Sequence, residues 1–161
     1  MPDLICLGKA LTGCLPLSAC VGRSAVMAAW PASTGEALHT STFLGNPLAC
    51  AAALASLAEF KSRAGKWGAL EKGAKWRKHL VSLLGKNPWI REIRGIGMMI
   101  GVELRDDAPI SAAAVCERLL KRGIISLPGG ARNETLALSP PLVIAAADLQ
   151  WSAGQIAEAL Q

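Results

Sequence analysis

Residues 2–19 read PDLICLGKALTGCLPLSA. The apolar run Asp3–Leu7 predicts a short buried strand, which ends at Gly8-Lys9 before a turn of small residues. Ligands bind at strand ends in α/β proteins, and a partly desolvated lysine there offers a neutral amine that can attack a carbonyl to form a Schiff base. Lys9 is therefore a candidate catalytic residue. The alternative interpretation is an exposed charge at the end of a strand.

Two further short strands are predicted at Leu15–Val21 and Ala25–Trp30. The pattern then changes at Asn46-Pro47, because Asn suits a helix N-cap and Pro suits the first helical position. An Ala/Leu run continues from there to Phe60. Since this predicted helix is apolar on all sides, we expect it to be buried on most of them.

The second half of the chain alternates helices and strands. One helix is predicted to end at Gly85, with a core face formed by Trp67, Leu70, Ala74, Val81 and Leu84. After it we expect strands at Ile96–Leu104, Ile124–Leu127 and Thr135–Leu138, and helices at Ala112–Arg122 and from Ala146 onward. The pattern predicts a mixed α/β chain with a change of unit near residues 60–66.

The composition is typical of a folded chain, with 161 residues of which 52% are hydrophobic and 18% charged. It excludes intrinsic disorder. The longest nearly uncharged stretch, Pro47–Ala58, is too short for a membrane span. Lys9 interrupts the first apolar run, which a secretory signal would keep unbroken. We therefore expect a soluble cytoplasmic protein that does not bind a membrane.

Cysteine and histidine usage shows no metal-binding pattern. The chain has five cysteines and two histidines, without a CxxC pair and without the spacing of zinc ligands. We expect no metal site, and buried thiols in a reducing compartment.

The net charge of +5 has its source in one segment, since residues 61–94 contain ten basic and two acidic residues. Such a segment forms either a phosphate-binding surface or the solvated face of a helix. No nucleic-acid motif or aromatic platform accompanies it, so we favour the solvated face and expect no nucleic-acid partner.

A second motif lies further along the chain, where residues 39–53 read HTSTFLGNPLACAAA. Together with residues 2–19 it resembles the class III (omega-type) aminotransferases, which depend on pyridoxal 5'-phosphate (PLP) and carry the signature H-x-S-T-F-x-G-N-P-L-A-x-A-A. Residues 94–104, RGIGMMIGVEL, and residues 139–144, SPPLVI, are similar to two further family segments. The resemblance covers essentially the whole chain, as the C-terminal part of the family's enzymes.

The resemblance implies a role for three residues. Lys9 matches the lysine that forms the Schiff base with PLP and moves protons during the reaction, while Thr42, with Ser41 beside it, matches a ligand of the cofactor phosphate. In the family this threonine reaches the cofactor of the neighbouring subunit, so a homodimer is implied. The implied reaction transfers an amino group from a small-molecule amine or amino-acid donor to a keto acid or aldehyde.

The implied architecture is α/β. Residues 1–62 match the end of a fold-type-I PLP-transferase large domain, and residues 66–161 match a small α/β C-terminal domain. The chain begins shortly before Lys9, so the family's upstream aromatic ring, phosphate-binding turn and pyridinium-pairing aspartate have no counterpart in it. We expect the 161-residue chain alone to be inactive.

Two departures from the family pattern bear on the substrate. Gly13-Cys14 stands where the family usually has two glycines, so a cysteine side chain is expected to crowd the turn. Ala137 stands where members acting on α-amino acids carry a carboxylate-binding arginine, which disfavours an ornithine-like or 4-aminobutyrate-like substrate unless Arg132 takes over that role. Two alternatives stay open: a related PLP-dependent aminomutase, racemase or decarboxylase, and an inactive remnant that docks on a full-length homologue.

Overall fold

A computed structural model describes residues 1–32, 34–35, 42–63 and 65–161. The chain divides into two compact units, Met1–Ala64 and Gly65–Gln161. In the part of the chain that the structure describes, no helix is long and apolar enough to cross a membrane.

The first unit contains a two-stranded antiparallel sheet. Strand β1 (Leu4–Leu7) pairs with β2 (Ala19–Gly22), and a 3-10 turn at Lys9–Leu11 lies between them along the chain. The predicted first strand is present at Leu4–Leu7, but the expectation that it is buried is wrong, because all four of its residues are exposed. The predicted strand at Leu15–Val21 is wrong in its first half, because Pro16 has no N–H to donate to a ladder and the pairing starts only at Ala19.

The prediction of a strand at Ala25–Trp30 is wrong. This segment opens with a single helical turn, α1 (Ser24–Met27). The carbonyl of Arg23 accepts hydrogen bonds from the backbone N–H groups of Val26 and Met27, at 2.9 and 3.0 Å. These local bonds satisfy the backbone groups that a strand would have needed to pair with a neighbour.

Helix α2 (Pro47–Arg63) begins where the sequence predicts. The Asn46 side-chain oxygen accepts hydrogen bonds from the backbone N–H groups of Leu48 at 3.0 Å and Ala49 at 3.2 Å. The expectation that this helix is buried on most sides is wrong, because only Ala49 and Ala53 are buried and Leu54 is 69% exposed. Leu48 and Leu57 are also more than half exposed.

Asn46→Ala is expected to lower the free energy of unfolding of the first unit by about 1 kcal/mol, because two first-turn N–H groups lose their acceptor. Hydrogen exchange at the Leu48 and Ala49 amides, followed by NMR, measures the effect at the cap itself. Asn46→Asp is the matched control, since Asp caps as well as Asn and should keep both amides protected. Equal protection in the wild type and the Ala variant would contradict this account of the helix start.

The second unit is a four-stranded antiparallel sheet with three helices. The strands are β3 (Ile90–Ile96), β4 (Met99–Leu104), β5 (Leu127–Gly129) and β6 (Thr135–Leu138), in the order β3-β4-β6-β5. The helices are α3 (Ala69–Leu84), α4 (Ala112–Lys121) and α5 (Ala146–Ala159). Helix α3 packs on β3 and β4, α4 packs on β5 and β6, and α5 contacts both helices.

The core of this unit lies between the sheet and the helices. Alternate residues of β4 are buried, as the period of a half-buried strand requires, and in β6 Leu136, Leu138 and also Thr135 are buried. The side chains that are less than 2% exposed belong to both strands and helices, and they include Leu80, Val102, Val115, Leu119, Leu136 and Ile156. The mixed α/β character that the sequence predicts is therefore present in a complete hydrophobic core.

The core face of α3 differs from the predicted one. Trp76, Leu80 and Leu84 are buried, whereas Leu70 and Val81, which were expected on that face, are exposed. Gly73 lies on the buried face, where the α3 backbone closely approaches that of Gly97. Trp76, Leu80 and Leu84 also recur at helical spacing, so spacing alone does not choose between the two faces, and the absence of a side chain at Gly73 permits this one.

The predicted strand Ile96–Leu104 is not continuous. A two-residue turn separates Ile96, the last residue of β3, from β4, which begins at Met99. Ile96 pairs with Met99, and Gly97 occupies the turn with φ +55°, a conformation that favours Gly at the first position of a tight hairpin turn. The predicted strand Ile124–Leu127 is displaced to Leu127–Gly129, because the Ile124 N–H donates to the Leu119 carbonyl and so belongs to the C-terminus of α4.

Candidate active site

Lys9 occupies an unusual backbone conformation at the end of β1. It is the first residue of the 3-10 turn and has φ +51°, in the left-handed region that a long side chain rarely adopts. The Leu11 N–H donates to the Gly8 carbonyl at 3.0 Å, and the Gly13 N–H donates to the Lys9 carbonyl at 3.4 Å. Strained residues of this kind cluster at functional sites, where the surrounding structure holds them in place.

The turn that carries Lys9 is fixed by its own side chains and by α2. The Leu15 N–H donates to Thr12 Oγ1 at 3.1 Å, and the Thr12 hydroxyl donates in turn to the Leu15 carbonyl. Helix α2 lies against the Lys9–Leu11 turn. The position of the lysine therefore depends on local hydrogen bonds and on a helix that begins far along the sequence.

Lys9 lines a cavity of about 720 Å³, which is within the range of about 300–1,000 Å³ typical of small-molecule sites. The walls come from two segments of the first unit. They are Gly8, Lys9, Gly13, Cys14, Leu15, Pro16, Leu17 and Ser18 from the loop between β1 and β2, and Phe43, Leu44 and Gly45 from the approach to α2. The lining is mostly apolar, with an amine, a thiol and a hydroxyl as its polar side chains.

The second wall brings part of the predicted phosphate-binding motif to the lysine. Thr42 is exposed and directly precedes Phe43, although Thr42 is not itself among the lining residues. Ser41 lies outside the described residues. Gly45, with φ +63°, turns the chain into the N-terminus of α2, so this wall meets the positive end of a 17-residue helix.

Cys14 lines the cavity. The sequence indicated this position only through the cysteine that replaces the second glycine of the family pattern. Its thiol contacts the Thr12 carbonyl at 3.8 Å, which keeps it on the surface of the turn. Gly13 has φ +77°, and no described atom lies within 4 Å of the position that a Cβ there would occupy. Phe43 and Leu44 were not singled out from the sequence, although their place between Thr42 and the Asn46 cap is a usable signal.

The two positions considered for substrate carboxylate binding lie in the second unit. Ala137 is on β6, opposite Gly101 of β4 and Leu127 of β5. The Arg132 guanidinium pairs with Asp106 at 2.8 Å. Hydrogen bonding, chiefly from Arg91, and the charge of Arg132 lower the pKa of Asp106. Arg132 is therefore already paired with a carboxylate that stays ionised.

Comparison with known proteins places the chain in a family. The family model for aminotransferase class-III matches residues 1–160. The chain belongs to the class-III aminotransferases. This class-III chain is 40% identical over 159 residues to the ornithine aminotransferase of Bordetella pertussis strain Tohama I. The match covers 98% of this chain and 36% of that relative.

Two other relatives extend this picture. The 2-aminoadipate transaminase of Pseudomonas putida strain KT2440 is 36% identical over 157 residues, which cover 92% of this chain and 36% of the relative. A solved structure of the Toxoplasma gondii ornithine aminotransferase, with PLP at partial occupancy in its active site, is 39% identical with a TM-score of 0.81, over 99% of this chain and 36% of that one.

The class-III chain thus spans a little over one third of the length of these relatives, 36% in each case. The expected fold class is confirmed: the solved structures that it resembles are fold-type-I aminotransferases, and this chain reproduces a mixed α/β portion of them. The match to a single family model across both units agrees with the resemblance carried by the sequence motifs.

Proposed function

We propose that the chain contributes to an enzyme that transfers an amino group from an amine or amino-acid donor to a keto acid or aldehyde, with PLP as cofactor. The observation that carries this proposal is the strained Lys9 turn opening into a cavity, in a chain of the class-III family. Lys9 supplies the amine that binds the cofactor covalently, and Thr42 with Ser41 binds its phosphate.

The residues around Lys9 suit this cofactor. The cavity is large enough for a small-molecule ligand, and Phe43, Leu15 and Leu17 offer apolar surface to an aromatic ring. The wall formed by Phe43–Gly45 leads to the N-terminus of α2, where the helix dipole favours a phosphate group. PLP, when bound, supplies an electron sink for the reacting carbon.

The protein's own share of the proposed reaction is positioning and proton transfer. Lys9 Nζ would hold the cofactor through its carbonyl carbon. The same amine would hold and move a proton at Nζ beside the reacting carbon. The turn fixes the Lys9 backbone in a left-handed conformation, so the side chain always starts from the same point of the cavity wall.

The substrate class follows from the relatives only in outline. Those reported above are named for ornithine and for 2-aminoadipate, both of which are amino acids, so we propose an amino-acid or related amine donor. Ala137 and the Asp106-paired Arg132 offer no free guanidinium for a donor carboxylate. The recognition of that carboxylate is therefore expected to differ from a simple arginine clamp at these two positions.

We also propose the domain assignment and the assembly that the family resemblance implies. Residues 1–62 are the end of the PLP-binding large domain, and residues 66–161 are the small C-terminal domain. The active form is a homodimer in which Thr42 serves the neighbouring subunit's cofactor. Five free cysteines support a reducing compartment, the cytoplasm, as its location.

The chain by itself is expected to bind PLP without measurable amino-transfer turnover. None of the described residues that line the cavity is a carboxylate, so no described lining group can pair with a protonated pyridine nitrogen. Equilibrium binding, followed by the visible absorption of lysine-bound PLP, is therefore the test of the proposal. The absence of a saturable signal would overturn it.

Thr42→Ala is expected to weaken PLP binding about ten- to a hundredfold, since a hydrogen bond to a charged group contributes about 1.5–3 kcal/mol and 1.4 kcal/mol corresponds to tenfold. Inorganic phosphate should compete with PLP less well in this variant than in the wild type. Thr34→Ala is the matched control, because Thr34 is an exposed loop residue outside the cavity lining. Equal dissociation constants for the Thr42 and Thr34 variants would remove Thr42 from the phosphate site.

A further inference from the structure

Two thiols face each other across the sheet of the first unit. Cys6 of β1 pairs in register with Cys20 of β2, and their Sγ atoms are 4.0 Å apart. Both side chains are exposed, as is Cys14, so the expectation of buried thiols is wrong for these three residues, and both thiols are free. They are the only two of the five cysteines that are strand partners, since Cys14 lies in the turn, Cys50 in α2 and Cys116 in the buried core of the second unit.

The backbone geometry already suits a disulfide. Directly opposed residues of an antiparallel pair have Cα atoms about 4.5–5.5 Å apart, within the range of about 4.4–6.8 Å observed for disulfide-bonded cysteines. The Sγ atoms need to approach from 4.0 Å to a bond length of about 2.05 Å. Side-chain rotation, with a small adjustment of the two strands, can supply this approach.

The pair also brackets the candidate active site. Eight of the eleven residues that line the Lys9 cavity, from Gly8 to Ser18, lie between Cys6 and Cys20 in the sequence. A bond between the two sulfurs would therefore close a ring around the segment that carries Lys9. This placement distinguishes the pair from two surface cysteines that are near each other by chance.

We propose that Cys6 and Cys20 form a thiol modification site at which a low-molecular-weight disulfide, such as oxidised glutathione, introduces an intramolecular disulfide. The inference rests on the geometry of β1 and β2 and stands independently of the proposed function. The disulfide would cross-link β1 and β2 at the two ends of the Lys9 loop. It would restrict the conformations of that loop and of the unfolded chain.

The reaction takes place in two balanced exchange steps. The neighbouring Cys6 thiol raises the pKa of Cys20, chiefly through their hydrogen bond. The exchange is the same whichever thiol attacks first, and with Cys6 as the first nucleophile it has two steps. The Cys6 thiolate bonds to one sulfur of the small disulfide and expels one thiolate, which takes up the proton that Cys6 released. Cys20 then loses its proton, attacks the Cys6 sulfur and expels the second thiol. Two protein thiols are oxidised and one small disulfide is reduced to two thiols.

The test uses the full 161-residue chain in its native state. After incubation with oxidised glutathione and alkylation of the remaining thiols, the number of free thiols is expected to fall from five to three. The intact mass before alkylation should show the loss of two hydrogens and no retained glutathione. Trypsin cleaves after Lys9 and Arg23, so peptides 1–9 and 10–23 should appear linked without reductant and separate with it.

Variants locate the bond, because peptide 10–23 contains both Cys14 and Cys20. Cys20→Ser should abolish the link and leave glutathione bound to Cys6, whereas Cys14→Ser and Cys50→Ser should retain the link. Denaturant should remove this selectivity, since the pairing depends on the sheet. A free-thiol count that stays at five, a link that persists in Cys20→Ser, or a link that is lost in Cys14→Ser would each overturn the proposal.

Discussion

Lys9→Arg is expected to abolish the borohydride-stable attachment of PLP to the chain. Arg keeps the positive charge of the side chain, but its guanidinium stays protonated and does not condense with an aldehyde under these conditions. Reversible binding through the phosphate should remain, because the α2 N-terminus and Thr42 are unchanged. Intact mass after borohydride reduction measures the effect, as one added cofactor per wild-type chain and none on the variant.

Lys86→Arg is the matched control for this prediction. Lys86 is an exposed lysine of the second unit, outside the lining of the Lys9 cavity. This variant should therefore retain the adduct at the level of the wild type. An undiminished adduct in Lys9→Arg would contradict the assignment of Lys9, and an equal loss in both variants would show that labelling follows total lysine content.

Gly73→Ala is expected to have the largest effect on stability, lowering the free energy of unfolding of the second unit by about 2–3 kcal/mol. A Cβ at Gly73 would lie 1.7 Å from the backbone oxygen of Gly97 and 2.3 Å from its carbonyl carbon. Both contacts are with the backbone of the tight turn between β3 and β4, so no side chain can rotate away. The helix or the hairpin would have to move, at the expense of packing around Trp76 and Leu80.

Gly154→Ala tests the same substitution in a helix where there is room. No described atom lies within 4 Å of a Cβ at Gly154 in α5, so the variant should be stabilised by about 0.5–1 kcal/mol through helix propensity. Denaturant unfolding of both variants, with the same probe, gives the comparison. A Gly73→Ala variant as stable as the wild type would contradict the close approach of α3 to the hairpin.

Much of the fold follows from local sequence signals. The Asn46 cap, the helix that follows it, and the strand at Thr135–Leu138 are where the sequence predicts them. Helix α4 also begins as expected, because Ser111 accepts a hydrogen bond from the Ala114 N–H and caps it. These elements are specified within a few residues of chain, so a single sequence contains the information.

The errors arise where distant contacts decide the structure. Strand β3 carries charged residues because it is an edge strand of the sheet, and its hydrophobic pattern is therefore weak. The buried face of α3 is set by the Gly73–Gly97 approach, which joins residues 24 positions apart in sequence. The apolar pattern of α2 indicates that burial of its side chains is favourable. It does not indicate which residues would cover them, and most of them are exposed in this structure.

The sequence predicts which residue types the candidate site contains. It does not predict how the backbone arranges them. A lysine at the end of an apolar strand identified Lys9, and the motif at residues 39–53 identified Thr42 and Ser41. The left-handed backbone of Lys9, the wall formed by Phe43 and Leu44, and the opposition of Cys6 to Cys20 all depend on strand register and turn geometry. Sequence spacing alone does not determine these.

The most direct test of the account is to map the reduced PLP adduct on the unmodified chain. Labelling at Lys9 blocks trypsin there, so the adduct is expected on the uncleaved peptide 1–23 at one cofactor per chain. Inorganic phosphate should reduce the yield, because the phosphate site orients the cofactor. An adduct spread over the lysines of residues 61–94, with peptide 1–9 released intact and unlabelled, would contradict the central claim that Lys9 is the cofactor-binding lysine.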